Sequence, residues 1–340
     1  TQGTFTGYAR DTNTVALCAS FTATVSAKGK ISAKAVSADG TWTFSAPSWS
    51  GTTNDLFAAV MATKKGQTLT LVVDTTKAWD DIQMGGELNG RYDIDAQRSP
   101  FLDKKGADYA AAMSTLGTYA GYYTVGLGST AVPEGWGAIT NEPTGYGYLA
   151  ATVDAKKGTA KLAGRLADGT AASCAAPLHL FSDAASIPHF IPLYAKRGYC
   201  SGWLDITNAV VDGDGSWLYP GKTSTGKNPA TEDRFAMTLE VCGARYDATK
   251  GLALYDGLTF TANGAVATMS HDGKDGLTSD TPSVTLKANA KTGLFSGKAN
   301  GDSHTGILVQ RDGGFGAGYI LVTEKWGGYT LKRSYPVRID

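Results

Sequence analysis

The sequence predicts an all-β fold of antiparallel meander barrels or sandwiches produced by internal duplication. Three observations carry that prediction. Residues Thr24–Pro47 (TVSAKGKISAKAVSADGTWTFSAP) and Thr152–Pro177 (TVDAKKGTAKLAGRLADGTAASCAAP) match in order with two one-residue gaps, and Thr285–Val309 (TLKANAKTGLFSGKANGDSHTGILV) is a third echo. Repeated hairpins separated by polar turns are what duplication of a β-unit leaves in a sequence. Within the copies apolar and polar residues alternate: Ile31, Ala33 and Ala35 against Lys30, Ser32 and Lys34, then Leu162, Gly164 and Leu166 against Lys161, Ala163 and Arg165. Period-two alternation with lysines on one side puts one face on a core and the other in water. Third, the chain carries 43 glycines among plentiful Tyr, Thr, Val and Leu, which signals many tight turns rather than disorder.

Taken in order, a first unit runs from about Thr4 to Ile94 and closes with the Gly-rich strand GGELNGRYDI before Ser99-Pro100. Asp39-Gly40 and Asp168-Gly169 are expected hairpin turns, glycine accepting the positive φ that other residues resist. The only run of helix formers is Lys104–Leu116, a short helix or a connector. A second region starts at Gly117, with strands expected around Tyr148–Val153, Lys161–Leu166, Ala172–Phe181, His189–Ala195, Tyr199–Thr207, Arg234–Cys242, Leu258–Thr261, Ser283–Ala288, Phe295–Ala299, Gly306–Gln310 and Gly318–Thr323. So many short strands at turn spacing read as barrels or packed sheets, and closure removes exposed strand edges. The resulting division is a smaller unit over 1–98, a linker over 99–116, and a larger duplicated unit over 117–340.

Thirty-one basic and thirty-one acidic residues cancel, so charge supplies no case for nucleic acid or an anionic membrane as partner. No apolar run approaches the roughly 18 residues of a membrane helix. The opening TQGTFTGYAR is not a signal peptide, and the chain reads as a segment cut from a longer precursor. Four cysteines permit two disulfides in three pairings; Cys174 with Cys200, which flank one hairpin region, is the first choice, leaving Cys18 with Cys242 to staple the halves. Small buried hydrophobes are the other reading of the same four residues.

The stretches GTYAGYYTVGL, GYGYLAATV, KLAGRLADGT, PLYAKRGYCSGWLDI, SWLYPG, RFAMTLEVCGARYD and LFSGKANGD…HTGILVQRDGGFGAGYIL occur in that order over Gly117–Val322, about two thirds of the chain. In this ordered set the chain resembles a β-rich repeat module of very large secreted or surface proteins of Verrucomicrobia, Lentisphaerae and Planctomycetes. The resemblance implies an extracellular or cell-envelope repeat with no catalytic role, and it assigns no functional residues. The stretch Asp183–Pro188 and the cysteines depart from that pattern.

Candidate chemistry is sparse. His179 and His189 bracket FSDAASIP, so a hairpin would bring them together, but no third metal ligand is near in sequence. Asp212–Ser216 and His271–Gly276 are oxygen-rich expected turns that lack the EF-hand spacing, so no metal is assigned. Glu134 and Glu142 flank GWGAITN and are the best available carboxylate pair for glycoside chemistry, without a feature that separates them from a solvated loop. No Gly-x-Ser-x-Gly elbow is present, and the Gly-rich runs GGELNG and GGFGAG precede no phosphate-binding helix start. Aromatics remain: Trp136, and Trp217 with Tyr219 in SWLYPG, lie among Gly, Pro and Asp and are expected to be exposed rings able to stack on sugars. Trp42 and Trp203, inside alternating strands, are expected to fill cores. The expected function is therefore an extracellular structural or adhesive module of a surface or secreted assembly. Its partners would be other copies or neighbouring modules, and it would have neither catalysis nor a cofactor. Polysaccharide binding through loop aromatics is the alternative.

Overall fold

The structure, a computed structural model, describes residues 2–14, 16–63, 65–129, 142–221, 235–274, 276–326 and 329–340. It is all-β, with three antiparallel sheets. The first contains β1 (Gly3–Asp11), β2 (Leu17–Val25), β3 (Ile31–Ser37), β4 (Gly40–Ala46), β5 (Gly51–Thr53), β6 (Leu56–Ala62), β7 (Thr68–Asp74), β8 (Met84–Leu88) and β9 (Tyr92–Arg98). The helix α1 (Tyr109–Tyr119) follows. The second sheet contains β10 (Gly121–Ser129), β11 (Gly147–Val153), β12 (Thr159–Arg165), β13 (Ala171–Pro177), β14 (His179–Leu180), β15 (Ala185–Leu193), β16 (Gly198–Thr207), β17 (Val210–Tyr219) and β18 (Phe235–Arg245). The third contains β19 (Thr259–Ala262), β20 (Ala265–His271), β21 (Leu277–Ser279), β22 (Val284–Ala288), β23 (Leu294–Ala299), β24 (Asp302–Val309), β25 (Phe315–Trp326) and β26 (Tyr329–Ile339).

Strand order exposes the duplication. The first sheet runs β4-β3-β2-β1-β9-β8-β7-β6-β5, and the second, β13-β12-β11-β10-β18-β17-β16-β15-β14, repeats it nine strands later. The third, β21-β20-β19-β26-β25-β24-β23-β22, follows the same rule with one strand fewer in its first arm. The matched stretches at Thr24–Pro47 and Thr152–Pro177 occupy equivalent places, from the end of β2 through β4 and from the end of β11 through β13. The third echo does not. It covers β22–β24, the opposite arm, because any hairpin of this kind is written with the same lysines, glycines and alternating apolar residues.

Each meander begins and ends on paired neighbours, so its two end strands are consecutive in the chain. That forces the sheet to curl. A flat nine-stranded sheet would hold its ends about 38 Å apart at about 4.8 Å per strand. The five Cα steps from Ala46 to Gly51 reach no more than about 19 Å. In the second sheet Leu178 alone separates β13 from β14, and in the third β21 lies beside β22. The inward faces then fill a core: Phe5, Phe21, Ile31, Leu69, Leu71 and Met84 in the first sheet, and Phe260, Met269, Phe295, Leu308, Ile320 and Val337 in the third. Lys34 and Lys161 stay in solvent as the alternation predicts. At Gly7 a Cβ would run into the Asp95 carbonyl, and at Gly164 into that of Tyr148; only glycine lets these strands coil so closely.

Contact density divides the chain into two compact units: Thr1–Gly121 with Val153–Ala160 and Cys174–Thr207, and Tyr122–Thr152 with Lys161–Ser173 and Asn208–Asp340.

Several local expectations are corrected. The expected strand Ala172–Phe181 is two strands at opposite ends of one sheet, broken after Pro177, which has no amide hydrogen to continue a ladder. The run Asp212–Ser216 is not a turn. It lies inside β17, with Asp212 opposite Cys242 and Asp214 opposite Glu240, and the turn falls at Asn208-Ala209, both at positive φ. The first hairpin turns at Ala38-Asp39, with Gly40 already paired to Ser37. The helix starts at Tyr109 rather than Lys104 and buries Ala112, Leu116 and Tyr119. The Asp183–Pro188 stretch opens β15, whose two prolines, Pro188 and Pro192, pair with Trp203 and Tyr199 of β16.

The proposed disulfides are also corrected: Cys18, Cys174, Cys200 and Cys242 are all free thiols. Cys18 Sγ donates to the Ala9 carbonyl at 3.2 Å, and Cys242 accepts from Arg311 at 3.6 Å, each a partner on an adjoining strand or turn rather than another sulfur. Burial pushes the Cys18, Cys174 and Cys200 thiols up to about 12 and raises that of Cys242, so they remain protonated. They behave as small apolar side chains. No helix among the described residues is long and apolar enough to cross a membrane.

Candidate functional site

The aromatic platform does not assemble as expected. Trp136 and Glu134 lie outside the described residues. Trp217 is 1% exposed, with its ring edge-on to Phe235 at 5.0 Å, and Tyr219 stacks on the same Phe235 at 5.1 Å. Trp217 lines an apolar recess with Leu127, Leu166, Met237 and Leu239 that has no room for a water molecule. The Gly and Pro around it mark the strand end, not exposure of the ring. Trp42 is half-buried on the first core, and Trp203 packs edge-on against Tyr8 at 5.4 Å.

The histidines also part company. The register of β14 and β15 sets His179 opposite Ser186, not His189, which faces Gly202 of β16. His179 is buried with Nε2 2.8 Å from the Thr6 carbonyl; His189 is buried with Nδ1 3.4 Å from the Ile187 carbonyl. Desolvation brings both down to about 4, so both are neutral at pH 7. His304 lies between Phe260 and Phe295 with Nε2 3.0 Å from the Thr285 carbonyl, and burial lowers it as well. His271 ends β20, paired with Leu277, and in the exposed turn after it Asp272 accepts the Lys274 and Gly276 amides and so is held below the usual carboxylate range. Among the described residues no three His, Cys, Asp or Glu converge as a metal site.

What the buried polar groups build instead are two seams between sheets, each inside one compact unit. In the first, β14–β16 pack on the outer faces of β1, β2 and β9. Gln97 of β9 uses its carboxamide as a strand would, Nε2 donating to the Leu180 carbonyl at 2.6 Å and Oε1 accepting the Leu180 amide at 2.9 Å. Ser201 Oγ donates to the Leu17 carbonyl at 2.5 Å, and His179 stacks by Tyr8 at 6.4 Å. Gln97, His179 and Ser201 are all buried, so every one of these bonds replaces water that cannot enter.

In the second seam, β24 and β25 pack on β10 and β11. Tyr148 Oη shares a hydrogen with Thr305 Oγ1 at 3.2 Å, Tyr122 Oη donates to the Thr292 carbonyl at 3.0 Å, and Tyr246 Oη to that of Ala290 at 2.9 Å. Gln310 pairs both ways with the backbone of Asp247, at 2.7 and 3.0 Å. Gly126 lets β10 approach so near that a Cβ there would sit 2.9 Å from Ala317 Cβ. Sequence reading missed these residues because a lone Gln or Ser in a strand carries no motif. The available signal was a lone polar residue such as Gln97 or Ser201 inside a strand-forming run.

Together the fold and the seams define an all-β protein of three tandem curled sheets. No family model, curated protein or solved structure matches the chain.

Proposed function

We propose that this chain is an extracellular structural or adhesive repeat module of a surface or secreted assembly, working by contact rather than by chemistry. The observation that carries this reading is where the buried polar side chains are directed. Gln97, His179 and Ser201 each bond to the backbone of a neighbouring sheet instead of converging in a cleft. Buried groups satisfied by backbone fix the docking of one sheet on another, whereas catalysis needs groups left open toward a reactant. The thiols are protonated and the buried imidazoles neutral, in keeping with a packing role. The resemblance to repeat modules of large secreted or surface proteins points the same way.

Two measurements test it. Antibody against the chain should label intact producing cells or their secreted matrix, and purified chain on a glycan array should stay silent. Labelling confined to the cell interior would overturn the location. A glycan signal lost on Trp136→Ala would replace the adhesive reading with carbohydrate recognition.

A further inference from the structure

The two seams use the same places in the repeated topology. In both, the seventh strand of one sheet or its counterpart in the eight-stranded sheet (β16, and β24, sixth of its sheet) lies with its neighbours on the first two strands of the sheet before it (β1 and β2, β10 and β11). Burial records this. Tyr123–Gly128 of β10 are buried without alternation, and Ala185–Pro188 of β15 likewise, because both faces of those strands are covered. Ile307 and Val309 of β24 are fully buried yet stand outside the core of the third sheet.

One copy of each half is left bare. The sixth and seventh strands of the first sheet present Leu56, Ala58, Val60 and Ala62 beside Thr68, Thr70 and Val72, with Leu56 44% and Val60 65% exposed. The first two strands of the third sheet present Thr259 and Thr261 beside Val266 and Thr268, with Val266 61% exposed. Lys34, Lys161, Arg165 and Lys298 put charge on other solvent-facing strands, while the uncharged end strands β4 and β13 expose only Thr, Ser and Ala and no large aliphatic side chain. On β6–β7 and β19–β20 themselves the only outward charge is Asp74 at the end of β7, and the bordering charges are Glu87 opposite Thr70 on one face and Arg338 opposite Thr261 on the other. Uncharged, β-branched sheet faces are the composition of a covered surface.

We infer that the bare β6–β7 face of one molecule seats on the bare β19–β20 face of a second copy of this chain, continuing head to tail the contact made twice within it. Such a contact is heterologous: each molecule keeps one free half of each kind, so addition continues unless a ring closes. The inference rests on the structural-module reading and supplies that module with its partner.

Sedimentation of the purified chain over a wide concentration series should show an average mass that climbs beyond the dimer. Val60→Lys and Val266→Lys, both at exposed positions and checked for unchanged circular dichroism, should each weaken association at least about tenfold, since a lysine must be desolvated in the contact. Ala163→Lys, on the solvent face of β12, should change nothing. The decisive mixture is Val60→Lys with Val266→Lys. Each variant keeps the half the other lacks, so the mixture should form a one-to-one dimer that neither forms alone. A chain that stays monomeric throughout, or a mixture no more associated than its parts, overturns the proposal. Surface labelling with a monomeric chain would remove self-stacking alone, and stacking by a protein confined to the cell interior would remove the surface role alone.

Discussion

The two seams occupy equivalent strands but are fastened differently. Between β14–β16 and β1–β2 the fasteners are an imidazole, a carboxamide and a serine hydroxyl, all buried and all directed to backbone. Between β24–β25 and β10–β11 they are tyrosine hydroxyls, a half-exposed Gln310 and a glycine contact. Topology thus sets which faces meet without dictating what holds them. The chemistry chosen decides the response to solvent: imidazoles answer to mild acid, and phenols do not.

Acid gives the largest expected separation. His179 and His189 are neutral when folded and titrate at about 4, against 6.5 when unfolded, so between those values the unfolded chain binds more protons. The histidine contribution should therefore fall as pH drops below 6.5 and level off near 4, with about 2 kcal/mol lost per histidine between pH 7 and pH 5. The matched probes are the Leu180 and Asp247 amides, each donated to a glutamine Oε1. After correction for intrinsic rates, hydrogen exchange at Leu180 should accelerate more in acid, and His179→Gln should remove the part due to His179 and leave that due to His189. Equal acceleration at both amides would erase the distinction.

Next in size is Gln97→Leu, which leaves the buried amide and carbonyl of Leu180 without partners and should cost about 3 kcal/mol in urea unfolding. Gln310→Leu has the same geometry, but water reaches the site, so about 1 kcal/mol is expected. Gly126→Ala should cost about 2 kcal/mol by overpacking against Ala317. As small as that of Gln310→Leu is the effect of Tyr148→Phe, which deletes one hydrogen bond to Thr305 and should lower stability by about 1 kcal/mol without altering the acid response.

Much of the architecture was legible in particular residues. Ile31, Ala33 and Ala35 fell inward and Lys34 outward, as written. The paired copies at Thr24 and Thr152 landed on equivalent strands, since alternation and turn chemistry are local properties. The echo at Thr285 misled for the same reason: local grammar does not say which arm of a meander a hairpin joins. Trp217 shows the limit for sites. Its Gly and Pro neighbours suggested an exposed ring, yet the β17–β18 register turned it inward opposite Met237. Asp212 and Asp214 were read as a turn and proved to be strand, because the pairing with Cys242 and Glu240 is non-local.

By itself, then, the sequence determined an all-β, duplicated chain and the inward face of its strands, because side-chain alternation and glycine turns act within a few residues. Only the tertiary structure decided that each sheet curls until consecutive strands become its two ends. It alone also decided that the cysteines stay apart and that Gln97, His179 and Ser201 fasten one sheet to the next. Those outcomes depend on partners dozens to nearly two hundred residues away, whose register no local pattern encodes.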